Sequence, residues 1–220
     1  MSRILFRYHG HARGVFHMGR ITWILISILL FYHCGLAQGT QDHEFLIDHG
    51  GLKRKYIVHI PPGYKEGGSK TPVVIYLHGG GGSVKAAYND GLDKASDKFG
   101  FILIIPAGSG VIPDRFLTWN GGEWSGGECC GYAVRNNIDD VGFISKIIDD
   151  IKNKFRVDET RIYATGISNG AIMAYRLACE LSERIAAIAV VAPPAIPFRC
   201  APSRPISIMH IQGELDTRVP

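Results

Sequence analysis

Hydrophobic positions fall into short runs separated by glycine, proline and charge, and two spacings alternate along the chain. Glu44–Asp48 and Lys53–Ile60 read as a hairpin turning at His49-Gly50-Gly51 and ending at Pro61-Pro62-Gly63-Tyr64. Pro72–Leu77, Phe101–Ile105 and Ile185–Val191 are apolar runs, the pattern of buried strands, and Pro205–Ile211 reads as the last strand. Between them the spacing changes to that of helices. Val84–Lys98 is helical with an interruption at Gly91. Asn137–Phe155 places Val141, Ile144, Ile148, Ile151 and Phe155 on one stripe, with Asn137 as its cap and Asp139 and Asp140 in the first turn, where the helix dipole favours acid. Arg161–Thr165 is a further strand, and Ala171–Cys179 a further helix. Strands alternating with helices predict an α/β domain with a mostly parallel sheet and helices on both faces. Residues 107–136 are a long glycine-rich excursion holding Trp119, Trp124, Cys129, Cys130 and Tyr132, and loops of this length carry function or need a staple.

The junction between Arg161–Thr165 and Ala171–Cys179 is Gly166-Ile167-Ser168-Asn169-Gly170, a G-x-S-x-G pattern in the strand–turn–helix setting of a nucleophile elbow. Small residues must flank the serine because the turn brings backbone atoms together. The Asn169 N–H lies at a helix start, where unpaired donors suit an oxyanion. A second candidate is His78-Gly79-Gly80-Gly81-Gly82, between a strand and a helix, where the Gly80 N–H can serve as another oxyanion donor. No Gly-Lys-Ser/Thr follows that loop, so it is not a phosphate cradle of the P-loop kind. A third is Asp216, just past the last apolar run and suited to orienting a catalytic histidine. All three fall at the ends of buried strands, where open α/β sheets bind ligands.

Charge and cysteines set the compartment. Residues 1–37 hold Arg3, Arg7, Arg13 and Arg20 and no acid, and without them the remaining 20 basic residues equal the 20 acidic ones. The balanced remainder offers nothing to nucleic acid or to an anionic membrane. Ile21–Phe31 is an apolar core too short to span a bilayer comfortably, and Gly35-Leu36-Ala37 suits cleavage, so residues 1–37 are expected to be a signal peptide; an uncleaved anchor is the alternative. After cleavage the protein is secreted, extracellular or periplasmic, with no stable membrane association. Cys129, Cys130, Cys179 and Cys200 then remain, an even number in an oxidising compartment. Adjacent cysteines rarely bond each other, so Cys129 and Cys130 are each expected to reach one of Cys179 and Cys200. The cysteine spacing fits no zinc site, and no metal or cofactor is expected.

The loop at Leu77–Gly82, the stretch from Trp119 to Cys129-Cys130-Gly131, Ile138–Phe143, Gly166–Gly170 with Tyr175–Glu180, and His210–Asp216 occur in an order that resembles the secreted polyhydroxybutyrate depolymerase and feruloyl esterase group of the α/β-hydrolases. The resemblance covers residues 43–220. It implies the α/β-hydrolase fold, Ser168 as nucleophile, Asp216 as triad acid, Gly80 and Asn169 as oxyanion donors, and ester hydrolysis through an acyl-enzyme without a cofactor. Trp119 and Trp124 suit a polymer-derived or aromatic ester: a hydroxyalkanoate oligomer, or a phenolic or acyl ester of the plant wall. In that fold the histidine follows the acid, yet all nine histidines precede Asp216. The chain is therefore expected to lack the catalytic-histidine segment and the last strand, to be inactive as it stands, and to leave Ile206, Ile208, Met209 and Ile211 on an open edge. A non-catalytic α/β-hydrolase-like binding protein or remnant and a serine peptidase are the competing expectations.

Overall fold

Two glycines in the left-handed region, Gly50 at φ 59° and Gly51 at φ 75°, close the first hairpin, because a two-residue turn matching the strand twist needs positive φ at both positions. The strands they join are β1 (Gln41–His49) and β2 (Leu52–Ile60), paired so that His49 faces Leu52. The structure is a computed structural model that describes residues 41–122, 131–194 and 200–217. The chain divides into two units, Met1–Gln38 and Gly39–Pro220, and the described residues belong to the second. The expected leader, Trp124, Cys129 and Cys130 lie outside the described residues.

The apolar runs form β3 (Thr71–Leu77), β4 (Ile102–Pro106) and β6 (Ala187–Val191), the last predicted strand forms β7 (Ser207–Ile211), and β5 spans Val157–Ile167. The sheet order is β1-β2-β4-β3-β5-β6-β7. β1 and β2 are antiparallel, β2 is antiparallel to β4, and every later pairing is parallel. β5 is longer than its apolar run because it extends backwards through Asp158-Glu159-Thr160 at the exposed end, where Asp158 accepts from Thr160 and Arg161 and Glu159 pairs with Lys152. The pairing of β3 with β5 slips between Thr71 and Val73, which lets Val157 join the ladder.

The helices are α1 (Ala86–Asn89), α2 (Leu92–Phe99), α3 (Gly131–Arg135), α4 (Asp140–Lys154) and α5 (Asn169–Glu180). Gly91, at φ 74°, separates α1 from α2. Alternate residues of the central strands enter two cores. Val73, Ile75, Leu77, Ile162 and Ala164 pack with the apolar stripe of α4 and with α5. Tyr76, Leu103 and Ile105 pack with Val84 and Ala87 beside α1 and α2. The α4 cap differs from expectation. Asn137 adopts φ 46° in the turn after α3, and the Asp139 carboxylate accepts the Gly142 N–H at 2.9 Å instead. Asp139 is thus the cap, and Asp140 begins the helix.

The cysteine pairing is also corrected. Cys179 bonds Cys200, with their Cα atoms 5.3 Å apart, so neither is available to Cys129 or Cys130. The reason lies in the direction of α5. It starts beside Ser168 at the edge where the parallel strands end and carries Cys179 about 16 Å away along its axis. Gly131, which follows Cys130, sits against Thr118 on the starting edge.

Candidate active site

Ser168 joins β5 to α5 with φ 53° and ψ −121°, a conformation that non-glycine residues seldom adopt. Its neighbours explain how the turn is imposed. A Cβ on Gly166 would lie 2.5 Å from the Gly170 carbonyl oxygen, and one on Gly170 would lie 2.0 Å from the Leu77 carbonyl oxygen. Only bare glycine admits these approaches. The Ser168 N–H donates to the Val191 oxygen at 2.9 Å, and the Ser168 oxygen accepts from Ala171 and Ile172. The serine itself remains half-exposed. Asn169 opens α5, so its N–H is among the first-turn donors with no partner inside the helix.

The glycine loop enters from β3, where Leu77 pairs with Gly166. A Cβ on Gly79 would stand 3.7 Å from the Ser168 Cβ, which brings this loop against the serine. The Gly82 N–H donates to Gly79 O at 3.0 Å and the Gly81 N–H to Leu117 O at 2.9 Å; neither bond uses the Gly80 N–H. His78 braces the loop from beneath. Its Nδ1–H donates to Gly79 O at 2.8 Å and its Nε2 accepts the Gly108 N–H at 3.1 Å, which fixes the neutral tautomer. Burial pushes the imidazole down to about pKa 4. With its lone pair committed to Gly108, His78 serves the loop and not a proton transfer.

Trp119 is corrected. Its side chain has no exposed surface, so it offers the substrate nothing to touch. Its indole N–H donates to His78 O at 2.9 Å, and its ring centroid lies 4.9 Å from that of His78. Its backbone is gripped by the Asn169 side chain: the Trp119 N–H donates to Asn169 Oδ1 at 2.7 Å, and Asn169 Nδ2–H donates to Trp119 O at 3.1 Å. One residue on, the Asn120 N–H donates to Asp140 Oδ2 at 2.7 Å, and Arg54 Nη2 donates to Asp140 Oδ1 at 2.7 Å. Burial raises the Asp140 carboxyl above its ordinary value, while Arg54 and the Asn120 N–H oppose that shift. Arg176 reaches up from α5 to donate to Asn120 O at 2.7 Å. These residues clamp the middle of the 107–136 excursion to the elbow. Sequence reasoning missed Arg54, the buried role of Asp140 and the Asn169 side chain; an arginine inside the otherwise alternating strand β2 was the one available signal.

Asp216 follows β7, in a turn where its N–H donates to Gly213 O at 3.1 Å, and it is half-buried. β5, β6 and β7 are adjacent and parallel, so Ser168 and Asp216 emerge at one edge of the sheet from strands about 10 Å apart. The other described histidines are engaged elsewhere: His49 with Asp139, His59 with Asp42 and Asp97, His210 with the Tyr175 hydroxyl, and His43 beside Phe45 and Phe155. Among the described residues no cluster of three His, Cys, Asp or Glu could hold a metal. A half-exposed hydroxyl at a helix start, beside a second run of glycine N–H groups, is an arrangement that can attack a carbonyl and hold the resulting oxyanion.

The chain is 31% identical over 169 residues to a putative esterase, NocK, of Nocardia uniformis subsp. tsuyamanensis, covering 76% of this chain and 46% of that protein. It is 30% identical over 184 residues to feruloyl esterase B of Piromyces equi, covering 76% of this chain and 30% of that one. It thus spans less than half the length of either curated relative. Among solved structures, a ferulic acid esterase superposes with a TM-score of 0.52 at 19% identity, covering 70% of this chain and 60% of the other, which establishes the shared fold. No family model matches the chain.

Proposed function

We propose that the chain is an esterase of the feruloyl esterase and polyhydroxybutyrate depolymerase-like group of the α/β-hydrolases and that it hydrolyses carboxylic esters through an acyl-enzyme on Ser168. The observation that carries this reading is the strained Ser168 backbone, held by two glycines that nothing larger could replace. Ser168 Oγ attacks the ester carbonyl carbon and passes its proton to a general base. The Gly80 and Asn169 N–H groups stabilise the oxyanion. Collapse expels the alcohol, which takes up the proton, and water then releases the acid by the same steps in reverse order. Asp216 is the acid that orients the base. None of the described histidines, all engaged elsewhere, is assigned as that base.

The relatives' names favour a phenolic or acyl ester of the plant wall over a hydroxyalkanoate oligomer. The Cys179–Cys200 bond supports export to an oxidising compartment, with residues 1–37 as leader and 38–220 as the hydrolase unit. Labelling with a fluorophosphonate tests the reading. In the full-length protein, with its general base, the label is expected on Ser168, and Ser168→Ala is expected to abolish it and to lower p-nitrophenyl acetate turnover by roughly 10⁴-fold or more. Ser168→Ala retaining a tenth of the turnover sinks the assignment, and absence of both label and turnover favours the non-catalytic alternative.

A further inference from the structure

The Arg54 guanidinium is fixed by three contacts and left idle at one nitrogen. It lies over the Phe143 ring, with its central carbon 4.0 Å from the ring centroid, and its Nη2 donates to Ala107 O at 3.1 Å and to Asp140 Oδ1 at 2.7 Å. With that orientation set, Nη1 meets no acceptor among the described residues, although the side chain is only 4% exposed. Ser109 repeats the pattern. Its backbone N–H and carbonyl are both used by Thr118, at 2.9 and 2.8 Å, yet its Oγ, in a residue 7% exposed, has no partner among the described residues. Buried polar atoms are nearly always paired, because an idle donor has lost its water and gained nothing in return. Arg54 and Ser109, which carry two of the three such atoms among the described residues, line one cleft.

The cleft opens where β2 and the chain leaving β4 part, just past the bond from the Ala107 N–H to Lys55 O at 2.9 Å. It holds about 230 Å³. Lys53, Lys55 and Asp114 line it together with Arg54, so its walls carry three cations and one carboxylate, and that carboxylate is already taken by Lys55 at 2.5 Å. Asp140 is not part of the lining. Walls of one predominant sign favour an anion. The volume exceeds that of a lone halide, and Leu52 and Leu117 in the wall suit an apolar body behind a charged head. Guanidinium N–H and hydroxyl O–H groups are donors that a carboxylate accepts well. We propose that this cleft binds a small aliphatic carboxylate, whose oxygens accept from Arg54 Nη1 and Ser109 Oγ and whose chain lies against Leu52 and Leu117. The site makes no use of Ser168, so it stands or falls separately from the esterase reading. The same guanidinium holds Asp140, which holds Asn120, so an occupant also stiffens the clamp on the 107–136 excursion.

The test follows the backbone amide resonances of the full chain by NMR as sodium butyrate is added. Butyramide serves as the neutral isostere and sodium chloride at equal ionic strength as the ionic control. Butyrate is expected to give saturable shifts centred on residues 52–55 and 108–110 with a Kd on the order of 1 mM, butyramide to bind about tenfold more weakly or less, and chloride to give no saturable shift. Ser109→Ala removes a hydroxyl that bonds nothing else among the described residues, so it should leave thermal stability unchanged while weakening butyrate binding about tenfold. Arg54→Lys keeps one cationic nitrogen for Asp140 and removes the idle one, and should abolish saturable binding; where that variant fails to fold, Ser109→Ala decides alone. The proposal is overturned by the absence of saturation with butyrate up to about 50 mM, by butyramide or chloride binding as well as butyrate, by shifts centred elsewhere, or by a Ser109→Ala affinity within about twofold of the unmutated chain.

Discussion

β5 and β7 are parallel strands of one sheet, and each ends at a proposed member of the catalytic set, yet they are held in opposite ways. β5 has a neighbour on each side, its Ile162 and Ala164 are in the core, and the backbone beyond it is boxed in by Leu77 and Gly170. Among the described residues β7 pairs with β6 alone, and all five of its residues are exposed, Met209 to 61%. The nucleophile's position is thus set by steric exclusion, which admits one arrangement. Asp216 follows a strand that, among the described residues, has little packing of its own. Local stability should follow that contrast, highest around the elbow and lowest along β7.

Substitutions on either side sharpen the contrast. The largest effect is expected from Gly170→Ala, whose new Cβ meets the Leu77 oxygen at 2.0 Å. Denaturant unfolding should show a loss of about 4 kcal/mol or more, with Ser168 no longer labelled. Next is Asp140→Ala, which strands the buried Arg54 and frees the Trp119–Asn120 segment. A loss of about 3–5 kcal/mol is expected by the same measurement. His78 gives a pH-dependent version. Its folded pKa of about 4 lies below the ordinary 6.5, so the unfolded chain takes up the proton first. Its contribution is complete above pH 6.5 and is lost as pH falls towards 4, roughly 3 kcal/mol in all. Urea melts at pH 7 and pH 4.5 should show a smaller drop in His78→Gln than in the unmutated protein. The smallest effect belongs to β7: Met209→Thr should change stability by no more than about 0.5 kcal/mol, and a loss above 2 kcal/mol would erase the contrast.

These unequal regions were also unequally legible. The central strands could be read because β3 and β4 are covered on both faces and so lack polar interruptions. The elbow could be read because its glycines are there for a steric reason that survives in the letters. What was lost depended on partners distant in sequence. Asn169 grips Trp119 across fifty positions, and nothing in the run of residues marks Trp119 as buried rather than substrate-facing. The cap moved from Asn137 to Asp139 because α3, a helix the letters do not announce, ends in a turn that claims Asn137. The cysteines announced their even number, but pairing depends on which end of α5 carries Cys179. The polar start of β5 hid because its side chains are satisfied by Thr160, Arg161 and Lys152 without a core.

The Cys179–Cys200 bond encloses β6 in a covalent loop between the end of α5 and the start of β7. A protease that cuts once anywhere between Leu181 and Arg199 therefore releases nothing. It yields a two-chain molecule, with the serine on one chain and the aspartate on the other, that runs as one species until a reductant is added. In a protease-rich medium the nucleophile and its acid stay tethered after the backbone between them has been severed.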